Sequence, residues 1–469
     1  MNQTKSDGAF LFGYLIGRKN AGSGGGGAGK RSDVNLLDYD GTVAYSYTKE
    51  EFLALTELPD NPTHDGLTAQ GWNRTLADAQ AYVTEYGMLD IGQMYVTDDG
   101  KTRLTIKVDQ LLRADVPVYF SQTAANGVTV NWGDGSAEET FAGTGDITSA
   151  HHVYAETGTY CITLAPAEGC TLGLGIKTAS YCVMGTMKYS NAIYTAYTDM
   201  LQTVEIGAHV TEIPSYAFQY CLSLSSVTIP ESVTSIGSDA FSSCYNLQSV
   251  SIPSSVTTIK SNAFGNCLSL QSVSVPGSVT TMESSAFYNC SSLQRISIPS
   301  SITSIANDMF QRCFDLAHIT IPSGVTSIAS GAFYYCYDLA GTTIPESVTS
   351  IGSNAFNICT RLGSIRIPSG VTRIERDTFS FCYTLISVSI PSGVTSIGSN
   401  AFGSCVSLAE LKFEGSTPPT VANVNAFSKL NTDCRIYVPA GSLSAYTTAT
   451  NYPNPSTYTY VEYEEGGGT

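Results

Sequence analysis

Nine cysteines stand on one arithmetic series: Cys221, Cys244, Cys267, Cys290, Cys313, Cys336, Cys359, Cys382 and Cys405, each 23 residues after the last. A phenylalanine precedes each by three places, from Phe218 through Phe264 to Phe402. Between them runs a recurring phrase, as in Ile321-Pro322-Ser323-Gly324-Val325-Thr326-Ser327-Ile328. A fixed period in this range is the signature of a solenoid, in which each repeat is one supersecondary unit stacked on the next. A chain of this kind is built to present surface, which directs attention to binding and away from catalysis.

One repeat shows the physics. In Leu247 to Phe264, Val250 and Ile252 alternate with Ser249 and Ser251, so the pattern reads as a short strand with one buried face. Pro253 ends the ladder because proline donates no backbone hydrogen bond. Val256 and Ile259 form a second apolar pair, and Ala263-Phe264, Cys267 and Leu270 follow. A single repeat cannot enclose its own apolar face, whereas stacking buries a continuous core. At strand spacing of roughly 4.8 Å, ten coils make a rod about 45–50 Å long.

The cysteine series contains no CxxC pair and no histidine at ligand spacing, and an odd number cannot pair completely. It therefore reads as a ladder of small buried thiols, and the phenylalanines read as a parallel ladder of core rings. The phrase Ile229-Pro230, Ser232-Val233-Thr234-Ser235-Ile236-Gly237, Ala240-Phe241, Cys244 and Leu247 resembles the BspA-type leucine-rich repeat of bacterial surface proteins. The resemblance covers residues from about 201 to 413, and Cys434 to Gly441 is similar to that family's closing coil. It implies attachment to partners, often host cells or matrix, and no reaction.

Composition agrees with a surface role. The net charge is −17 and the sequence pI about 4.6, which argues against nucleic acid or an anionic membrane as partner. Charged residues are 13% of the chain, against a usual share of about 25%, and hydroxyl residues and 28 tyrosines fill the gap. No apolar run approaches the roughly 18 residues a membrane span needs. Ala9 to Gly17 is apolar but makes a poor signal peptide, with Lys5 and Asp7 before it, Arg18-Lys19 after it and no small-residue cleavage site. The C-terminal Glu464 to Thr469 carries no sorting motif.

Five segments are expected. Residues 1–31 read as an attachment segment and a glycine-rich linker. Gly24 to Lys30 matches GxxxxGK, but Arg31 occupies the magnesium-binding hydroxyl position, so no nucleotide site is expected. Residues 32–100 read as a small α+β unit. Its Leu58-Pro59, Asn61-Pro62, Gly66-Leu67 and Gly71-Trp72 spacing is similar to the β-grasp repeats of bacterial surface proteins. Asp38 to Thr42 reads as a turn, and Thr75 to Tyr86 as a helix with Leu76, Ala79 and Tyr82 on one face.

In residues 101–185, Trp132-Gly133-Asp134-Gly135-Ser136 and His152-Val153-Tyr154 through Gly158-Thr159-Tyr160 to Leu164 resemble the polycystic-kidney-disease (PKD) domain, a β-sandwich. Trp132 and Tyr160 would then pack its core and Asp134 would cap the turn. No acidic cluster makes Asp134 a calcium ligand. Cys161, Cys170, Cys182 and Cys434 leave disulfide pairing open. Residues 186–440 read as the solenoid with its caps, Tyr189, Tyr194, Tyr197, Met200 and Leu201 covering the open end, and 441–469 as a tail.

The fold class expected is therefore mainly β: a leucine-rich-repeat solenoid preceded by a PKD-like sandwich and a small α+β unit. Five histidines, with no HExxH, GxSxG or triad spacing, give catalysis, metals and cofactors nothing to stand on. The strands' solvent face is mostly Ser and Thr, as at Ser226, Thr228, Ser249, Ser251, Ser387 and Ser389. Beside the cysteines, Tyr245, Phe314, Tyr337 and Tyr383 follow and Tyr220, Tyr335 and Phe381 precede, at multiples of the period. Stacked, they would make an aromatic strip that either packs at a turn or contacts glycan or protein.

The segment from Asp38-Tyr39-Asp40-Gly41-Thr42 to Gln93–Arg103 resembles proteins encoded in prophages of gut Firmicutes. This implies a virion component, released by lysis. The function expected is a non-enzymatic recognition protein of a phage tail, held to other virion proteins by its N-terminus and contacting the bacterial surface. A bacterial cell-surface adhesin or a structural decoration protein without a ligand are the alternatives. An extracellular or virion location follows, with no membrane insertion and an open oligomeric state.

Overall fold

The computed structural model describes residues 33–38, 42–97, 99–110, 115–123, 127–143, 147–175, 181–186 and 197–464. The expected attachment segment and glycine linker lie outside them, as do Tyr189 and Tyr194 of the expected cap.

The first unit is a four-stranded sheet with helices on it. Strands β1 (Val34–Leu37), β2 (Val43–Tyr47), β3 (Leu67–Trp72) and β4 (Leu89–Thr97) lie in the order β2-β1-β4-β3, with β1 and β4 parallel. Helix α1 (Lys49–Leu53) starts with a capping box between Thr48 and Glu51, which satisfies its first free N–H groups. Helix α2 (Leu76–Tyr86) is the expected helix. Thr75 caps its start, and Gly87 ends it with a left-handed φ of 86° that costs a glycine little. Its Ala79, Tyr82 and Val83 pack with Phe52, Val34, Leu36, Leu89 and Ile91.

Two sheets sharing one core follow. Strand β5 (Thr102–Val108) pairs with β10 (Gly158–Pro166), which pairs with β7 (Val128–Asn131) and then β8 (Glu139–Phe141). The facing sheet has β6 (Asp115–Gln122) between β9 (Ile147–Val153) and β11 (Leu172–Leu174). The alternation in β5 puts Leu104, Ile106 and Val108 inside, against Val118, Phe120, Val130 and Ile162. Trp132 is fully buried, its indole donating to Glu139, while the Tyr154 hydroxyl donates to the Trp132 carbonyl at 2.8 Å. Asp134 accepts from the Ser136 amide and pairs with His152 at 2.6 Å. These bonds hold its carboxyl down at about 2. Tyr160 is partly buried against the core.

A short hairpin of β12 (Tyr181–Cys182) and β13 (Gly185–Thr186) leads to the solenoid. The solenoid is not closed at this end by a separate coil. Strand β14 (Leu201–Glu205) pairs antiparallel with β5 and parallel with β15 (Ser226–Thr228), so the sandwich sheet runs straight into the first coil. Met200 and Leu201, expected in the cap, are buried in that junction. The unpaired strand edge that an open solenoid would expose is thereby occupied.

The coils pair in parallel along two ladders of short strands and single bridges, at a 23-residue offset through the repeats, as in Ser249↔Ser272 and Ile236↔Ile259. Every fixed residue has a bond or contact that explains it. The phenylalanines stack from Phe218 to Phe427 with centroids 5.2–5.9 Å apart. Each ladder cysteine from Cys244 to Cys405 donates its Sγ–H to the phenylalanine carbonyl 26 residues back, at 3.1–3.3 Å. Here the thiol is more than a small hydrophobe, since it satisfies a buried carbonyl of the preceding coil. The repeat serines act alike: Ser278 donates to Val256, and the threonines donate to their predecessors, as Thr326 does to Thr303.

Burial keeps these cysteines protonated, pushing Cys290 and Cys405 up to about 12. All thirteen cysteines are free and twelve are buried; Cys161 alone is exposed. A thiol reagent added to the native protein is therefore expected to modify one cysteine, the other twelve reacting only on unfolding. Several fast equivalents would contradict this packing.

The chain beyond residue 440, expected as a tail, continues the solenoid. Helix α3 (Leu443–Thr447) buries Tyr446 against Phe413, and Thr459–Tyr463 pairs in parallel with Arg435–Pro439. Tyr446, Tyr452 and Phe427 close the C-terminal end of the core.

Candidate recognition surfaces

The first unit does not stand apart as a spacer; it folds back onto the solenoid. Asn73 Nδ2 donates to the Ile252 carbonyl at 3.0 Å and to Ser274 Oγ at 2.9 Å. Arg74 Nη2 donates to the Val275 carbonyl at 2.6 Å and the Tyr82 hydroxyl to Ile298 at 2.8 Å. Arg295 reaches back to Asp90 at 3.1 Å, and Ser323 Oγ donates to Glu85 at 2.6 Å. The hydroxyl face expected to meet solvent is therefore covered over the first coils. Thr228, Ser249, Ser251 and Ser274 are buried, whereas Ser387 and Ser389, farther along, are half-buried. The oxygens of Thr228, Ser249, Ser251 and Gln93 in this seat are buried without hydrogen-bond partners, so the contact is polar and imperfectly satisfied.

The aromatic positions divide into two groups. Phe314, Tyr335 and Tyr337 are buried, with exposures of 7, 6 and 2%. Phe314 and Tyr337, one period apart, stack at 4.9 Å, and Tyr335 stands edge-on to Tyr337 under the Arg312 guanidinium. These three pack a turn. Tyr220 and Tyr383 are half-buried, while Tyr245 and Phe381 are exposed at 40 and 39%. No continuous strip forms.

Phe381 and Tyr383 instead belong to a local apolar patch. Their rings meet at 6.1 Å. Val406, at the Tyr383 position one coil on, is 48% exposed, and Ile386, in the turn after Tyr383, is 58% exposed. Sequence reasoning missed these two, although a signal was present: Gln248, Gln271 and Gln294 hold the Ile386 position in other coils.

Backbone conformation adds a second observation. The residue before each ladder cysteine has a left-handed φ, 60° at Asn266 and 55° at Asn289, where asparagine is well tolerated. Phe381 adopts φ 59° there, a conformation that costs a bulky residue about 1–2 kcal/mol. The repeat imposes the same conformation on Tyr220, Arg312, Tyr335 and Ile358, and at position 381 it carries an exposed ring.

Four arginines in the coils before and at the patch are paired with carboxylates. Arg361 pairs with Asp338, Arg366 with Glu346, Arg373 with Glu375 and Arg376 with Asp377. Among the described residues no group of three or more His, Cys, Asp or Glu can hold a metal ion, and no helix is long and apolar enough to cross a membrane.

Residues 211–340 and 326–441 match the BspA type leucine rich repeat region, in 6 copies. The coils are BspA-type leucine-rich repeats. Among solved structures, a leucine rich cell surface protein from Faecalibacterium prausnitzii is similar over 63% of this chain and 93% of its own, at 26% identity and a TM-score of 0.36. A leucine-rich repeat protein from Bacteroides ovatus is similar over 61 and 96%, at 22% identity and a TM-score of 0.31. One from Eubacterium ventriosum is similar over 55 and 92%, at 22% identity and 0.35. No curated protein matches the chain.

Proposed function

We propose that this chain is a non-enzymatic adhesion and recognition protein that works outside the cell, gripping a protein or glycan through the outer edge of its BspA-type coils. The observation that carries this is the patch of exposed Phe381, Ile386 and Val406 with half-buried Tyr383, apolar side chains presented on the rod. Exposed aromatic and aliphatic residues on a fixed scaffold anchor interfaces at low entropy cost. Tyr220 and Tyr245, at the other end of the rod, are a secondary contact.

The finer reading is a phage tail-associated protein that contacts its bacterial host. It rests on the resemblance of residues 38–42 and 93–103 to prophage-encoded proteins, with the sandwich as a PKD-like spacer and the N-terminal segment attached to other virion proteins. A bacterial cell-surface adhesin fits the same repeats equally well. The genes flanking this one distinguish the two: tail, baseplate or lysis genes support the virion, and export or wall-attachment genes support the adhesin.

The shared claim is tested with the fluorescently labelled full chain on intact bacterial and epithelial cells. Saturable binding to one of them, competed by unlabelled protein, is expected. Only linear, non-competed uptake on every surface would leave a decoration protein as the better account.

A further inference from the structure

A second, separate site lies where the first unit meets the solenoid. A cleft of about 530 Å³ opens between α2, along its length from Asp78 to Tyr86, and the outer turns of three successive coils. Ser254, Gly277 and Ser300, one period apart, are the same turn position and form one wall. The opposite wall carries Trp72, Arg74, Asp78 and Tyr86.

Arg74 is the informative residue. It is 7% exposed, and no carboxylate lies within ion-pair distance of it among the described residues. Its Nη2 donates to the Val275 carbonyl, and its guanidinium stands 5.1 Å from the Tyr82 ring centroid. Its Nε is buried without a partner. Nη1 makes no hydrogen bond to the described residues and faces the gap at Gly277, where a Cβ would stand 3.5 Å away. Burial lowers the Arg74 pKa, and the charge of Asp78 on the next turn, out of ion-pair contact, only partly opposes it. Buried charges are ordinarily paired in direct contact, so a guanidinium aimed into a cleft with no carboxylate touching it marks a place an anion can occupy.

The rest of the cleft narrows the class. Asp78 and Glu85 flank it, so the local charge balance repels a polyanion or a phosphate dianion. A single carboxylate on a hydroxyl-rich body meets about half the repulsion of a dianion and can sit on Arg74, away from both. Asp78 Oδ2 is engaged by Thr75, which leaves Oδ1 to accept from a hydroxyl. Ser300 is an exposed polar partner, Ser254 donates its hydroxyl to Glu231 and can only accept, and Trp72 and Tyr86 supply the aromatic flank that sugar C–H faces pack on. The volume suits a small ligand.

We infer that this cleft binds an acidic sugar residue, its carboxylate on Arg74 Nη1 and its hydroxyls on Asp78 and the serine turns. This site is independent of the aromatic patch.

The test is saturation-transfer NMR and calorimetry on the full chain with glucuronic acid, N-acetylneuraminic acid, neutral galactose and glucose 6-phosphate. At least one of the two carboxylated sugars is expected to bind, with galactose and the phosphate at least about tenfold weaker, the worth of one charged hydrogen bond. Gly277→Leu fills the space beside Nη1 without touching the Arg74–Val275 bond, and is expected to lower affinity by about tenfold or more with the melting temperature unchanged. Arg74→Gln tests the cation directly, and Phe381→Ser is expected to leave this binding intact. No transfer to either acid, equal binding of galactose, tighter binding of the phosphate, or full affinity in Gly277→Leu would each overturn the inference.

Discussion

Phe310→Ala is expected to destabilise the solenoid by about 3–5 kcal/mol, the range for removing a fully buried phenylalanine. Phe310 is wholly buried and stacks on Phe287 at 5.9 Å and on Phe333 at 5.6 Å. The lost ring takes two stacking contacts with it, each contributing about 0.5–1.5 kcal/mol beyond burial. Its carbonyl also receives the Cys336 thiol, so collapse around the cavity disturbs the neighbouring coil's hydrogen bond. Because coils couple chiefly to their neighbours, a break in mid-rod uncouples the two halves. Chemical denaturation followed by far-UV circular dichroism should show an earlier and broader transition. A loss below about 1 kcal/mol would mean the stack is not what ties coil to coil.

Gly92→Val is expected to lift the first unit off the rod while leaving both folded. A Cβ at Gly92 would stand 2.2 Å from Ser251 Oγ and 3.0 Å from Ser251 Cβ, with Ser274 Cβ at 3.1 Å. Overpacking of this kind costs about 1–3 kcal/mol. The bonds of Asn73, Arg74, Tyr82 and Arg295 oppose lifting, but the seat is already weakened where Ser249, Ser251, Thr228 and Gln93 keep buried oxygens unpaired. Lifting would return those groups to water. Hydrogen exchange is the readout: amides of Ser249–Ser251 and Ser272–Ser274 should lose about tenfold or more of their protection, with unchanged circular dichroism. Unaltered protection there would show that the seat tolerates the added side chain.

The parts of this molecule that sequence reveals are those decided within one period. Phe264 stacks on Phe241 and Phe287, Cys267 bonds Phe241 one coil back and Val256 bonds Pro253 in its own turn, so repetition alone exposes them. The helix over residues 75–86 was readable for the same reason: its cap and apolar face lie within its own length.

The seat of the first unit was not readable. It depends on single residues, Asn73, Arg74 and Gly92, whose partners lie 179 to 201 residues away for Asn73 and Arg74 and carry no periodic mark. For the same reason Ser249 and Ser251 looked solvent-facing. The aromatic positions were half readable. Period placed Phe314 beside Tyr337, but whether two stacked rings face water or close on each other depends on the turn around them. The chain beyond residue 440 lacks the cysteine and the phrase, so its pairing through Thr459–Tyr463 left no repeat to recognise.

The account's central claim is that the exposed patch on the C-terminal coils, and not the rod as a whole, makes the recognition contact. The direct measurement is cell binding by the full chain beside a Phe381→Asn, Tyr383→Ser double variant, both first checked for equal melting temperature. Asparagine suits the left-handed backbone at 381, so the variant should fold at least as well. The account predicts that binding falls by about a hundredfold or more, as expected when two anchor residues of a contact are removed. Equal binding by the two proteins would contradict it and move the contact elsewhere on the rod.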